Sequence, residues 1–126
     1  MIENMKKILV AEDDKFLAGA YKLKLIAEGF AVEIVKDGQE LLRELPTFQP
    51  DLIILDLIMP RKDGFAVLQE LHNNPTYSTI PVIVASNLGQ KEDIDRAMQF
   101  GVKDFFVKSD LSIDELVAKI RARLPQ

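Results

Sequence analysis

Cysteine is absent from the 126 residues, which excludes disulfides, thiol nucleophiles and thiolate metal sites and removes any sign of an oxidising compartment. Long apolar runs are missing too. Glu12 interrupts the first hydrophobic stretch far short of the roughly 20 residues that a bilayer requires, so neither a signal peptide nor a membrane span is expected. No stripe of one charge sign runs along the chain. The 16 Lys and Arg are scattered among 20 Asp and Glu, for a net charge of −4, which argues against direct nucleic-acid contact and reads as solubility. Histidine occurs once, as His72, whose spacing puts it on the outer side of a helix, away from any relay or metal role. What is present is 48% apolar content, and a chain of this length can bury about two-thirds of its unfolded surface. One cytoplasmic domain over residues 1–126, with its core at about 6–124, is the expectation.

Strand-like and helix-like segments alternate with short connections and no internal repeat. Ile8 to Ala11, Leu52 to Leu55 and Val82 to Ala85 are unbroken apolar runs, as expected for strands covered on both faces. Val32 to Val35 alternates in polarity like a half-covered edge strand, and Asp104 to Val107 makes a fifth. Between the first two strands, Asp14 to Ala27 carries Leu17, Ala20, Tyr21 and Leu25 on one helical face, with Asp14 as its cap and Gly29 as its stop. Asp37-Gly38 reads as a turn. The second helix starts near Gln39, buries Leu41, Leu42 and Leu45, and is not expected to continue past Pro46 and Pro50. The third covers Phe65 to Leu71 and is broken by Asn73-Asn74-Pro75. In the fourth, Ile94, Ala97 and Met98 face inward, and Gly101 closes it in a left-handed conformation. Ser112-Ile113-Asp114-Glu115 is a capping box that opens the fifth, whose apolar face is Ile113, Leu116, Val117, Ile120 and Leu124. Five strands alternating with five helices imply right-handed crossovers and a parallel sheet with helices on both faces. Ligand chemistry then belongs at the carboxyl ends of the strands.

Polar residues end four of the apolar runs. Glu12-Asp13 follow the first, Asp56 the third, Ser86 the fourth and Lys108 the fifth. A nucleotide-binding α/β protein would carry glycines in the first loop; two carboxylates there repel a phosphate unless a cation intervenes. Either could cap the next helix, but Asp14 suits that role better and leaves the pair for metal binding. Asp56 ends a hydrophobic strand, where an unpaired carboxylate is costly to desolvate, and no turn begins until Met59-Pro60. Carboxylates this close push one pKa upward unless a hard divalent ion neutralises them, and Mg²⁺ with oxygen ligands and retained waters suits such a site. Lys108 offers a point charge to a phosphoryl oxygen, and the Ser86 hydroxyl can donate to another.

The stretches Ile8 to Asp14, Asp51 to Pro60, Asp63-Gly64, Ala85-Ser86 and Phe105 to Lys108 resemble the receiver domain of two-component response regulators, and the likeness extends from Lys6 to Leu124. It implies an α/β, flavodoxin-like (βα)5 fold: a doubly wound parallel sheet of strand order 2-1-3-4-5. It also implies Asp56 as the phosphoacceptor, Asp13 as a direct Mg²⁺ ligand, Glu12 as a ligand through water, and the Ile58 backbone carbonyl as the remaining protein ligand. Asp56 would attack a phosphoryl group carried by the histidine of a sensor kinase or a histidine phosphotransfer protein, with Mg²⁺ and Lys108 neutralising the equatorial oxygens. Ser86 would then move toward the phosphoryl oxygens and Phe105 would swing inward behind it. The face made by the fourth helix, fifth strand and fifth helix would change for a downstream protein target. Such a chain is a self-catalysing phosphoacceptor rather than an enzyme.

Several positions depart from the family's usual pattern. Lys108-Ser109 stands where Lys-Pro is common, and a cis bond before Ser would cost about 2.5 to 4 kcal/mol, which weighs toward a trans bond and a differently aimed Lys108. Phe105 lacks the hydroxyl of a frequent Tyr, and Ser86 replaces a frequent Thr with a freer rotamer. Ile58 and Leu88 are apolar where polar groups often organise the hydrolytic water, so slow autodephosphorylation is expected. Arg61 and Lys62 read as solvated loop residues. No effector domain is expected after the last helix: the chain either acts alone on a partner or is a receiver cut from a longer regulator. Pairing of two copies through the fourth and fifth helices stays open. Two other readings remain. An aspartyl-phosphate hydrolase would need a second acid just beyond Asp56, where Leu57 and Ile58 stand. A phosphorylation-independent interaction module would have a decayed site, against which the full set of Glu12, Asp13, Asp56, Ser86 and Lys108 argues.

Overall fold

A computed structural model describes residues 4–124; the outermost ends of the expected domain, 1–3 and 125–126, lie outside them. Five strands, β1 (Lys7–Ala11), β2 (Ala31–Val35), β3 (Leu52–Leu55), β4 (Val82–Ser86) and β5 (Asp104–Val107), alternate with five helices. These are α1 (Lys15–Ala27), α2 (Gly38–Phe48), α3 (Gly64–Asn73), α4 (Lys91–Met98) and α5 (Ile113–Arg123). All strand pairs are parallel and the sheet order is β2-β1-β3-β4-β5, the expected flavodoxin-like topology. The two steps out from the first strand run in opposite directions across the sheet, so its carboxyl end opens between β1 and β3.

Residue alternation in each strand divides the core in two. Leu9, Ala11, Ile53, Leu55, Val82 and Val84 face α2, α3 and α4, through Leu41, Leu45, Val67, Leu68 and Ala97. Ile8, Val10, Leu52, Ile54, Ile83 and Ala85 face α1 and α5, through Tyr21, Leu25, Leu116, Val117 and Ile120. Both faces of β1, β3 and β4 are therefore covered, which is why those runs carry no polar residue. β2 lies at the edge and is only partly covered at Val32, Glu33 and Ile34, as its alternation predicts.

Helix ends follow local chemistry. Asp14 caps α1, its Oδ1 accepting the Phe16 and Leu17 amides at 2.9 and 3.1 Å, and Gly29 leaves the helix at φ 96°. Ser112 and Glu115 form the reciprocal box at the start of α5. Four expectations need correction. Ala18 rather than Ala20 is the buried alanine of α1. Asp37-Gly38 is the cap and first residue of α2, with Asp37 Oδ1 accepting the Glu40 amide at 2.9 Å. The helix also runs through Pro46 to Phe48, because a proline this near the end forfeits only one late hydrogen bond. Gln49 closes it at φ 52° with its amide on the Leu45 carbonyl. Finally, α4 buries only Ala97; Met98 is 46% exposed and Ile94 half-buried, and Gly101, left-handed at φ 79°, lies three residues beyond the helix end.

Candidate functional site

Strand ladders continue one residue past the ends of β1 and β3. The Glu12 amide donates to the Val35 carbonyl at 2.9 Å and the Asp56 amide to the Ala11 carbonyl at 3.1 Å. Both backbones are thereby fixed at the rim of the sheet, and both carboxylates are buried, at 2% and 4% exposure. Lys108 opens a short 3-10 turn, Lys108–Asp110, directly after β5. Its Nζ lies 2.6 Å from Glu12 Oε1 and 2.8 Å from Asp56 Oδ2, so one ammonium bridges two buried acids. The remaining oxygens are also engaged: Glu12 Oε2 accepts the Asp14 amide and Asp56 Oδ1 the Ile58 amide, each at 3.1 Å. Asp13 is exposed above them. One carboxylate oxygen each from Glu12, Asp13 and Asp56 lies within 4.8 Å of the other two.

The charges of this cluster do not balance, since three carboxylates face one ammonium. Burial pushes the Glu12 pKa up, against the Lys108 and Asp14 hydrogen bonds that hold it down. Burial works to lower the Lys108 pKa, but hydrogen bonds to Asp56 and Glu12 outweigh it and leave it raised. Beneath the cluster, burial and then the Glu12 charge push the Tyr21 phenol up to about 12. An all-oxygen set with excess negative charge, open to solvent through Asp13, fits a hard divalent cation such as Mg²⁺ that keeps several waters.

The cleft is lined by Glu12, Asp13, Asp14, Asp56, Ile58, Asn87 and Lys108. Of the residues singled out in the sequence, five therefore meet here: Glu12, Asp13, Asp56, Ile58 and Lys108. Ser86 does not line it. It is the last residue of β4, fully buried, and its Oγ accepts the Leu88 amide at 3.3 Å. Phe105 is half-buried on β5, packed against the core that α2, α3 and α4 cover. The Lys108–Ser109 bond is trans, yet Lys108 points into the cluster, because two carboxylates draw its ammonium there whatever follows it. Arg61 and Lys62 are not free solvated charges either: Arg61 pairs with Asp37 at 3.0 Å and Lys62 with Glu70. Asn87 had no distinguishing signal beyond its place next to Ser86.

The response regulator receiver domain profile matches residues 8–121. The chain is 33% identical over 120 residues to the DNA-binding dual master transcriptional regulator RpaA of Synechocystis sp., covering 95% of this chain and 49% of that protein. It spans about half the length of the curated relatives it matches. Among solved structures it is similar to the signal receiver domain of a signal transduction histidine kinase from Syntrophus aciditrophicus, with TM-score 0.86, 34% identity, and coverage of 94% of this chain and 89% of that one. It is also similar to the Mn²⁺-bound form of response regulator Rcp1, with TM-score 0.80, 27% identity, and coverage of 96% and 99%.

Proposed function

This chain belongs to the response regulator receiver domain family, and from that premise we propose that Asp56 is the residue phosphorylated in a two-component relay. The observation that carries the reading is the bridge from Lys108 to Glu12 and Asp56 beside an exposed Asp13. A structural ion pair would need one acid, not three. The donor is a sensor histidine kinase or a histidine phosphotransfer protein, and the reader is a downstream protein.

In the transfer, an Asp56 carboxylate oxygen forms a bond to phosphorus while the bond from phosphorus to the donor imidazole nitrogen breaks, that nitrogen keeping the electron pair. Mg²⁺ would be held by Asp13, Asp56 and the Ile58 carbonyl, with Glu12 as a ligand through water, and would supply positive charge against the phosphoryl oxygens. Asp56 Oδ2 now accepts from Lys108, so the ammonium is within reach of a group built on that carboxylate. The Ile58 amide holds the other oxygen and fixes which way the carboxylate faces. Ser86, whose Oγ now accepts the Leu88 amide, moves toward the new oxygens in this reading, and half-buried Phe105 swings inward behind it. This pair is the switch that we assign, and the face of α4, β5 and α5 is its output.

A hydrolase is disfavoured, because the positions after Asp56 hold a buried Leu57 and an exposed Ile58 rather than an acid. No helix among the described residues is long and apolar enough to cross a membrane, and the cytoplasm is the setting we assign. The test is incorporation of phosphate from acetyl phosphate with Mg²⁺. Wild type should be labelled and Asp56→Asn should not; equal labelling of the two would refute the assignment.

A further inference from the structure

Asp37 is a buried carboxylate, 2% exposed, that has no part in the chemistry above. Its Oδ1 caps α2 and its Oδ2 accepts Arg61 Nη1 at 3.0 Å across 24 residues of sequence. Arg61 lies in the loop from β3 to α3 with φ 67°, the left-handed region that glycine occupies at little cost and a long side chain does not. Something must hold it there, and the buried partner on α2 is the contact available. Around it the loop is packed tightly against its surroundings: a Cβ on Gly38 would overlap the Lys62 carbonyl oxygen. This loop begins at Asp56 and Ile58, two residues that line the cleft.

We infer that the Asp37–Arg61 pair clasps the β3–α3 loop to the start of α2 and so holds the Ile58 segment in register with Glu12 and Asp13, making both positioning residues for the cation site. The inference rests on the reading of that cleft as a Mg²⁺ site. Neither residue touches the cleft lining, so the pair acts through the loop backbone. Simple electrostatics makes the opposite prediction for one of the two. Removing the Arg61 cation would by itself favour a nearby divalent ion, whereas loss of the clasp disfavours it.

Calorimetric titration of Mg²⁺ into wild type, Asp37→Asn, Arg61→Ala, Arg61→Lys and the Asp37→Asn/Arg61→Ala double variant tests this, with hydrogen exchange of the metal-free proteins alongside. Asn keeps the cap on α2, and Ala carries the same Cβ cost at positive φ as Arg, so each variant removes mainly the clasp. The expected result is about tenfold weaker Mg²⁺ binding in both single variants, the scale seen when an outer partner of a metal ligand is lost. The double variant should be no weaker than either, Arg61→Lys should keep part of the affinity, and the Lys62 and Gly64 amides should exchange faster in the two single variants. Arg61→Ala binding Mg²⁺ as tightly as wild type or more tightly, or unchanged loop exchange, would overturn the clasp. If wild type fails to bind Mg²⁺, the cation reading fails first, a result that no variant is needed to see.

Discussion

Lys108 is the single cation among the carboxylates of the cleft, so its removal leaves Glu12 and Asp56 buried with like charge and only one backbone amide each as partner. Lys108→Ala should cost about 3 to 5 kcal/mol in the metal-free protein, since breaking a buried pair strands the acids. Added Mg²⁺ should restore much of it, as urea unfolding with and without the ion will show. Tyr21 gives a pH signature in the metal-free protein. Its phenol titrates near 12 when folded and near 10 when unfolded, so between those values the native state holds the extra proton. Stability contributed by the protonated phenol is present below pH 10 and lost as pH rises toward 12, by about 2 to 3 kcal/mol. Tyr21→Phe should flatten that slope in unfolding measured across the interval. Ile58 lines the cleft and is exposed, Leu88 is half-buried against the core, and neither side chain can orient water. The phosphorylated protein should therefore decay over minutes to hours in a phosphate-release assay, and Ile58→Asn should quicken it. Single residues were the hardest scale to read in advance. The aim of Lys108 depends on carboxylates contributed by two other strands, and the Asp37–Arg61 pair spans two loops, so neither is visible in local pattern.

The elements were legible where burial was one-sided or complete. Leu52 to Leu55 shows no polar residue because helices cover both of its faces, and the runs in β1 and β4 share that cause. Capping chemistry was equally legible at Asp14 and Ser112, where a side chain answers to amides two or three residues away. Interior faces of short helices were not. In α1 the pattern cannot separate Ala18 from Ala20, since alanine carries little hydrophobic signal, and in the eight residues of α4 a phase error of one residue, about 100°, moves Met98 from inside to outside. Close packing between elements is likewise silent in sequence. Gly64 starts α3 with its amide on the Leu57 carbonyl at 2.9 Å, and a Cβ there would lie 2.7 Å from the Asp56 carbonyl oxygen. Gly64→Ala must displace the backbone that carries Asp56, costing about 2 kcal/mol or more as an overpacked site does. Denaturant unfolding and acetyl phosphate labelling should fall together.

At the scale of the whole molecule, the alternation of segments was enough to imply a parallel sheet with helices on both faces, whereas the strand order came from the resemblance to receiver domains. The same topology gathers Glu12, Asp56 and Lys108 from β1, β3 and β5 at one end of the sheet. From that end, α1 carries a row of uncovered apolar side chains: Phe16, 93% exposed, beside the cleft, then Leu23 and Ile26 farther along the helix. On the proposed reading a protein donor that brings its histidine to Asp56 lies against neighbouring surface, and Phe16 is expected to be the apolar contact nearest the cleft. Phe16→Asp should slow transfer from a phosphorylated donor protein about tenfold while leaving labelling by acetyl phosphate as it was; an equal effect on both would place Phe16 in the fold rather than in the docking. Charge in the first turn of α1 is compatible with that helix.

The central claim is that the phosphoryl group lands on Asp56 and nowhere else. Borohydride reduces an aspartyl phosphate to homoserine, so treatment with acetyl phosphate and Mg²⁺, reduction, and peptide mass analysis reads the site directly. Homoserine at position 56, lost when Mg²⁺ is chelated, is the predicted result; homoserine at position 13 or 14 instead, or none at any position, would contradict it.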